Sequence, residues 1–234
     1  ISLFLLAVAC KKSFLDTPLL GALNPGLVAN KAGVNGVLIG AYSLLDGEGG
    51  NGGGNGPWAT AASNWVYGSV AGGDAHKGSD PGDQNLITPI ETWNTSPSNS
   101  YLDQIWKSRY DGVQRSNDAI RLARLATDMT TSDTLEVIAE ARFLRAHYHF
   151  DLAQNFNKIP FVDESQTYSA GNYLTPNIDV MPILETEFAF AYANLPEIQP
   201  QKGRANKWAA AVYLGKVYMF EQKFTEAQTL FTTI

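Results

Sequence analysis

Ala211-x2-Leu214-Gly215-x2-Tyr218, followed by Phe224 and then Ala227-x3-Phe231, is the stretch that decides the fold. The spacing matches the tetratricopeptide pattern, a pair of antiparallel helices repeating every 34 or so residues, roughly. Gly215 and Ala227 are small, so the two helices can touch. Leu214, Tyr218 and Phe231 fill the space around that contact, and Phe224 supplies the aromatic that opens the second helix. Ala211 stands where the pattern commonly has Trp, and Trp208, one turn earlier, partly compensates. A generic helical hairpin meets a few of these positions; here more are met, in phase across the turn. A single repeat cannot bury its own face, so neighbours are required. The expectation is an all-α chain of stacked hairpins joined by long irregular loops.

Those neighbours are legible upstream. Ser100 reads as an N-cap with Asp103 at the capping-box position. Leu102, Ile105, Trp106, Tyr110, Val113 and Ile120 then form one stripe to about Ala126. A second helix is expected from near Asp133, with Glu136 three residues on, to about Asn155; Phe143 and Phe150 widen its apolar face. Pro160 bars continuation. Asp179 is expected to cap a third helix, with Pro182 in its first turn and Leu195-Pro196 as its stop. Helices from about Lys207 to Glu221 and from Thr225 onward follow. Nearer the start, Val34, Val37, Leu38, Ala41, Tyr42 and Leu45 keep a helical period, while Gly33, Gly36 and Gly40 weaken that helix or permit close packing. Residues 59–98 and 161–177 hold little period and read as loops, the former around a short helix.

The 234 residues are 44% hydrophobic with a net charge of -6. That is ample for a core, and it lacks the clustered Lys and Arg that a nucleic-acid partner demands. Ile1 to Ala9 is almost continuously apolar, but nine residues span only about 14 Å as a helix, too short to cross a bilayer. The stretch fits the tail of a secretory leader. Ala7-Val8-Ala9-Cys10 resembles a bacterial lipobox, with Ala7 in place of the usual Leu. An acylated Cys10 would anchor the chain, with Lys11 and Lys12 at anionic head groups. A lone cysteine allows no internal disulfide.

Motifs for catalysis are weak. Gly47, Gly49 and Gly52 formally make G-x-G-x-x-G, but no strand precedes them and Pro57-Trp58 follows where a phosphate-cradling helix belongs. His147 and His149, two apart on a helix, face different ways and do not form the i, i+4 metal pair. Arg142 and Arg145 with Glu140 read as a structural ion-pair cluster. Asp74 and Asp80, or Asp163 and Glu164, are loop carboxylates of the kind a glycosidase pairs, but nothing in the sequence positions them. Neither a G-x-S-x-G nor a Walker motif occurs. Asn94-Thr95-Ser96 matches a glycosylation sequon. No cofactor and no metal are expected, and no catalytic residue is assigned.

Four stretches carry a resemblance to a known family. They are Cys10 with Ser13-Phe14-Leu15-Asp16-Thr17-Pro18; Gly73-Asp74-Ala75-His76-Lys77-Gly78-Ser79-Asp80; Ile105-Trp106-x3-Tyr110-x-Gly112-Val113-x2-Ser116-Asn117; and Ala139-Glu140-Ala141-Arg142-Phe143-Leu144-Arg145-Ala146-His147-Tyr148-His149-Phe150, leading to Phe156-Asn157-Lys158-Ile159-Pro160. With them the chain resembles the SusD/RagB outer-membrane nutrient-binding lipoproteins, departing at Asn157, where that family often has Gly. The resemblance implies a surface-exposed lipoprotein of the outer membrane. Such a protein binds oligosaccharide or another nutrient and passes it to a SusC-like TonB-dependent transporter. Family members are longer, and their C-terminal part contributes to the ligand site, so the chain reads as an incomplete fragment. The expected division is a leader remnant at 1–9, a lipidated tether at 10–30, and a SusD-like N-terminal helical domain at 31–234 whose last repeat, 204–234, is truncated. Glycans are held by flat aromatic faces with amides on their hydroxyls. Trp93 with Asn94 is the first candidate, and Trp58, Trp65 and Tyr67 follow. Two other classes stand beside this reading: a tetratricopeptide scaffold binding only proteins, and a glycosidase.

Overall fold

Asn30 shows how local chemistry starts the fold: its side-chain oxygen accepts from the Gly33 amide at 3.0 Å, satisfying a donor that the first helical turn leaves open. The structure is a computed structural model, and it describes residues 25–46, 60, 64–78, 80–166 and 175–234. The leader at 1–9, Cys10, most of the 10–30 tether, the glycine-rich run 47–56 and Trp58 lie outside the described residues. In chain order the helices are α1 (Pro25–Val28), α2 (Lys31–Tyr42), α3 (Thr88–Glu91), α4 (Ser100–Leu125), α5 (Thr131–Phe156), α6 (Met181–Asn194), α7 (Lys207–Phe220) and α8 (Phe224–Phe231). From α4 to α8 each helix packs on the next, and α2 lies across α4 and α5. Among the described residues the one β feature is an antiparallel bridge, Ile159 to Ile178, with hydrogen bonds of 3.1 and 3.0 Å that close the segment between α5 and α6. The architecture is the all-α one expected.

Helix starts at α4, α5 and α6 differ from the sequence reading; at α6 Val180 holds the cap position, and Asp179, one residue earlier, accepts from the Met181 amide at 3.0 Å. Asn99, not Ser100, caps α4; its side chain accepts from the Tyr101 amide and donates to the Leu86 carbonyl. Asp103 pairs instead with Lys107 one turn on, at 2.7 Å. For α5 the cap is Thr130, and Asp133 is the third residue of a reciprocal capping box rather than the start. At α4 and α5 two cap-competent residues lie close together, and the one that also gains a second bond caps the helix.

The core explains the aromatic and glycine spacing. Gly112 marks the closest approach of α4 to α5: a Cβ there would sit 2.5 Å from ring carbons of Tyr148. That ring is fully buried, and its hydroxyl donates to the Ala41 carbonyl at 2.6 Å, tying α2 to α5. Trp106 packs on Tyr110 and Phe156 with ring centroids 4.8 and 5.0 Å apart, and the Tyr110 hydroxyl donates to the Pro160 carbonyl. At the other end, Gly215 lies under the Phe231 ring so closely that a Cβ would overlap it. Ala211, Leu214 and Ala227 are buried and Tyr218 is half-buried, whereas Phe224 is 58% exposed and Phe231 42%. Gly33 approaches the Val28 backbone, but Gly36 and Gly40 have nothing within 4 Å.

Asn157 ends α5 with φ of 64°, a backbone state in which glycine is least strained. Asn stands there in place of the family's glycine, and nothing in the structure explains that choice.

Gly112→Ala is expected to destabilise the protein by about 1–3 kcal/mol, because the new methyl overpacks a ring that its hydroxyl bond holds in place. A thermal melt within a degree of the parent would show that α4 and α5 have slack at this crossing.

Candidate functional site

The aromatic candidates sit on a small cap against the start of α4. Trp65–Val70 is a wide helical turn that buries Val66 and Val70 against Ile87, Ile90 and Tyr101. Trp65 is half-buried on this cluster. Tyr67 is half-buried too, and its hydroxyl donates to the Tyr101 carbonyl at 2.7 Å; burial pushes that phenol's pKa up. Both side chains therefore help to build the cap. The Gly73–Asp80 stretch wraps it, with Gly73 and Gly78 at positive φ and His76 paired to the Glu91 carboxylate on α3. That stretch is thus a turn framework, in which Asp74 and Asp80 are exposed.

Trp93 is different. It follows α3 at φ of 57°, its amide donates to the Ile90 carbonyl at 3.2 Å, and its side chain is 82% exposed. Asn94 beside it is exposed, with its amide fixed to the Pro89 carbonyl at 2.8 Å. The backbone is therefore ordered while the indole stands in water. Covering one indole face would remove on the order of 100 Å² from water, worth about 2.5 kcal/mol before ordering costs. The structure places Trp65, Tyr67, Trp93 and Asn94 on one cap.

A cavity of about 630 Å³ lies elsewhere, between α2, the first turns of α5 and the 199–204 segment. Asn35, Glu140, Gln199, Gln201 and Arg204 line it with amides and charges, and Met129 and Val137 provide apolar wall. Glu140 is buried. Burial raises its pKa, while the Tyr42 hydroxyl, donating at 2.5 Å, and Arg204 at 3.3 Å work against that rise. No sequence periodicity announces this cavity, because it forms between segments far apart in the chain.

The arginine cluster is structural, but its partners differ from those expected. Arg142 and Arg145 pair with Glu187 on α6, each at 2.7 Å, and not with Glu140. Arg145 also donates to the Asn117 side chain on α4 at 2.8 Å and pairs with Glu164. Arg142 lies 3.9 Å over the Phe190 ring. Glu187 stands 42 and 45 residues from its partners, so only the fold reveals it. His149 is fully buried. Its Nδ1 donates to the Arg145 carbonyl and its Nε2 accepts from the Val162 amide, which fixes the tautomer. Burial lowers its pKa from 6.5 to about 3. Asp163 accepts from Ser165 and Glu164 is held by Arg145 and Arg124, so this loop pair is committed to local structure. Among the described residues no cluster of three or more His, Cys, Asp or Glu is arranged to hold a metal, and no helix is long and apolar enough to cross a membrane.

The geometry defines a stacked-hairpin helical protein with an aromatic-bearing cap on its longest helix pair. Comparison with known proteins gives the family: residues 60–219 match the SusD-like family described as starch-binding and associating with the outer membrane, and the chain belongs to it. A SusD-like protein of Bacteroides ovatus is 29% identical over 133 residues, which are 55% of this chain and 24% of that protein. SusD-like protein P2 of Formosa agariphila is 25% identical over 158 residues, 66% of this chain and 31% of that protein. The chain thus spans about a quarter to a third of the curated relatives it matches. Among solved structures, a laminarin-binding SusD-like protein superposes with a TM-score of 0.72 at 25% identity, over 86% of this chain and 42% of its own. Surface glycan-binding protein A of Bacteroides thetaiotaomicron, solved with laminarihexaose, gives 0.68 at 18% identity over 86% and 41%, a likeness of fold.

The Arg145 network yields a pH test. Burial alone would raise the Glu164 pKa, but hydrogen bonds and charge from Arg145 hold it down, from 4.5 to about 2. A carboxylate whose folded value lies below its unfolded one stabilises the fold fully above pH 4.5 and loses that contribution as pH falls toward 2. Glu164→Gln should be less stable than the parent at pH 7 by about 1–3 kcal/mol, discounted for partial exposure. The gap should shrink in denaturant melts as pH drops below 4.5. His149 titrates in both proteins and cancels in the difference, so a gap unchanged at pH 2.5 would refute the ion-pair account.

Proposed function

We propose that the chain is the helical N-terminal portion of a surface glycan-binding lipoprotein that delivers its ligand to a SusC-like TonB-dependent transporter. The observation that carries this reading is the ordered, solvent-facing Trp93 with Asn94, set on a fold of the SusD-like family. The printed descriptions of its relatives support a carbohydrate ligand, since one binds laminarin and another is solved with laminarihexaose. A flat indole suits a sugar ring's axial C–H face, and the adjacent amide suits its hydroxyls. In this reading Trp93 is the stacking platform, Asn94 the orienting group, and Trp65 and Tyr67 support the cap, with Trp58 a further contact. The protein binds without turnover. Cys10 carries the lipid that holds it at the outer membrane, facing outside, and 31–234 form the helical domain.

A second reading is a tetratricopeptide scaffold for protein partners. It is favoured by the exposed apolar side chains of Met219, Phe220, Phe224 and Phe231 on α7 and α8. Titration of the full-length protein against a glycan panel that includes laminarihexaose separates the two. Trp93→Ala should weaken the glycan bound by the parent by about tenfold or more, the equivalent of losing about 1.4 kcal/mol, with no reducing ends released in either case. Absence of any glycan binding in the parent, with retention of protein partners, would favour the scaffold.

Anchoring has its own measurement. Cys10→Ser in the full-length protein should move it from the membrane fraction to the soluble one, because the thiol that accepts the acyl chains is gone. Unchanged fractionation would remove lipid anchoring from the proposal.

A further inference from the structure

A second cavity, of about 260 Å³, opens between α4, α5 and α7, with Leu45 and Asn64, the residue before Trp65, on its remaining wall. Its polar lining includes Arg109, His147, Asp151, Gln154 and Lys216, with the Tyr213 ring as one wall. None of Trp65, Tyr67, Trp93 or Asn94 lines it. Arg109 is buried, with its side chain 4% exposed. Its Nε donates to Asp151 Oδ2 at 3.0 Å, but its Nη1 is buried without a hydrogen-bond partner. A guanidinium N–H left open in the interior costs stability, and native structures rarely leave one so.

The charges do not balance. Asp151 is the cavity's one carboxylate among its described lining residues, and it already serves Arg109 while facing His147 Nε2 at 3.6 Å. Burial lowers the His147 pKa, so the imidazole adds no positive charge at neutral pH. Lys216 holds its ammonium 4.7 Å from the Tyr213 ring centroid, and no carboxylate among the described residues lies within ion-pair distance of it. Two cations against one carboxylate leave one positive charge over, with a guanidinium edge and an ammonium as its donors. A void of this size holds roughly eight or nine waters at about 30 Å³ each. It has room for a phosphate or one acidic monosaccharide, and not for a glycan chain.

We propose that this cavity binds a small carboxylate or phosphate oxyanion, with Arg109 and Lys216 as its charged donors and Gln154 as a neutral one. The site is separate from the glycan-stacking face and stands whether or not that reading holds.

Calorimetric titration of the full-length protein at low ionic strength tests it, with glucuronate and inorganic phosphate as probes and glucose as the neutral control. At least one anion should bind at a single site, and glucose should not bind there. Lys216→Met, on an exposed position of α7, should weaken that anion about tenfold or more. Lys202→Met, which removes the same charge from an exposed residue that does not line the cavity, should leave it unchanged, as should Trp93→Ala. The double variant Arg109→Gln/Asp151→Asn replaces the buried ion pair by a neutral one and should abolish binding; should it fail to fold, Lys216→Met carries the test. Whichever anion binds more tightly identifies the source, a free phosphate or an acidic sugar. No heat with either anion, equal loss in Lys202→Met, or full affinity in Lys216→Met would overturn the proposal.

Discussion

Arg145 is a cation buried to 3% exposure at the centre of the helix stack, and the surrounding structure has to satisfy it. An isolated charge in such a place costs far more than the fold's net stability can bear, so partners must come from every side. They do: Asn117 from α4, Glu187 from α6 and Glu164 from the segment after α5. Glu187 is shared with Arg142, and Glu164 with Arg124. A buried pair of this kind adds little to stability compared with a well-packed apolar core, yet losing one partner is severe. Its effect is on arrangement. Only one register of α4, α5 and α6 brings the amide and both carboxylates to the same guanidinium.

The segment after α5 gains its order from that requirement. Glu164 cannot reach Arg145 unless residues 157–164 turn back along α4 and α5. The turn begins at Asn157 with φ of 64°, passes through the Ile159–Ile178 bridge, and is pinned where Val162 donates to His149 and its carbonyl accepts from Asn117. His149 holds that place only as a neutral imidazole, which burial secures. At the far end of α4, Tyr101 joins the long helix to the cap, so Trp93 is carried by a support whose other end is locked. The binding surface proposed at Trp93 needs such a stationary mount, because ordering costs otherwise subtract from affinity.

The long helices were legible because their apolar stripes run for many turns, and the Gly215 position was legible because small residues mark close contacts. Helix starts slipped by up to three residues where Asn99 neighbours Ser100 and Thr130 precedes Asp133, since each of these can cap. The Glu187 partner was not legible at all. A pair separated by 42 residues leaves no period, and the nearer Glu140 offered a local match that the fold assigns to Tyr42 and Arg204. Trp93 and Tyr67 both read as loop aromatics, yet Trp93 stands in water while Tyr67 spends its hydroxyl on the Tyr101 carbonyl. Sequence shows that an aromatic lies in a loop; only packing shows which way it is used.

The family likeness and the ligand question therefore rest on different residues. The stretches 105–117 and 139–160 that carry the likeness are those whose polar groups are consumed inside: Tyr110 on Pro160, Asn117 and Arg145 on each other, His149 on Val162. Gly73 and Gly78 are needed for turns in the third stretch. Trp93 and Asn94 fall in none of these, and neither does Lys216, whereas Arg109 lies within the first and Gln154 within the second. A scaffold fixed by internal pairing leaves the exposed Trp93 and the exposed Lys216 free to change without unmaking the fold. Stretches of this sort can thus carry the architecture while saying nothing of what the protein binds.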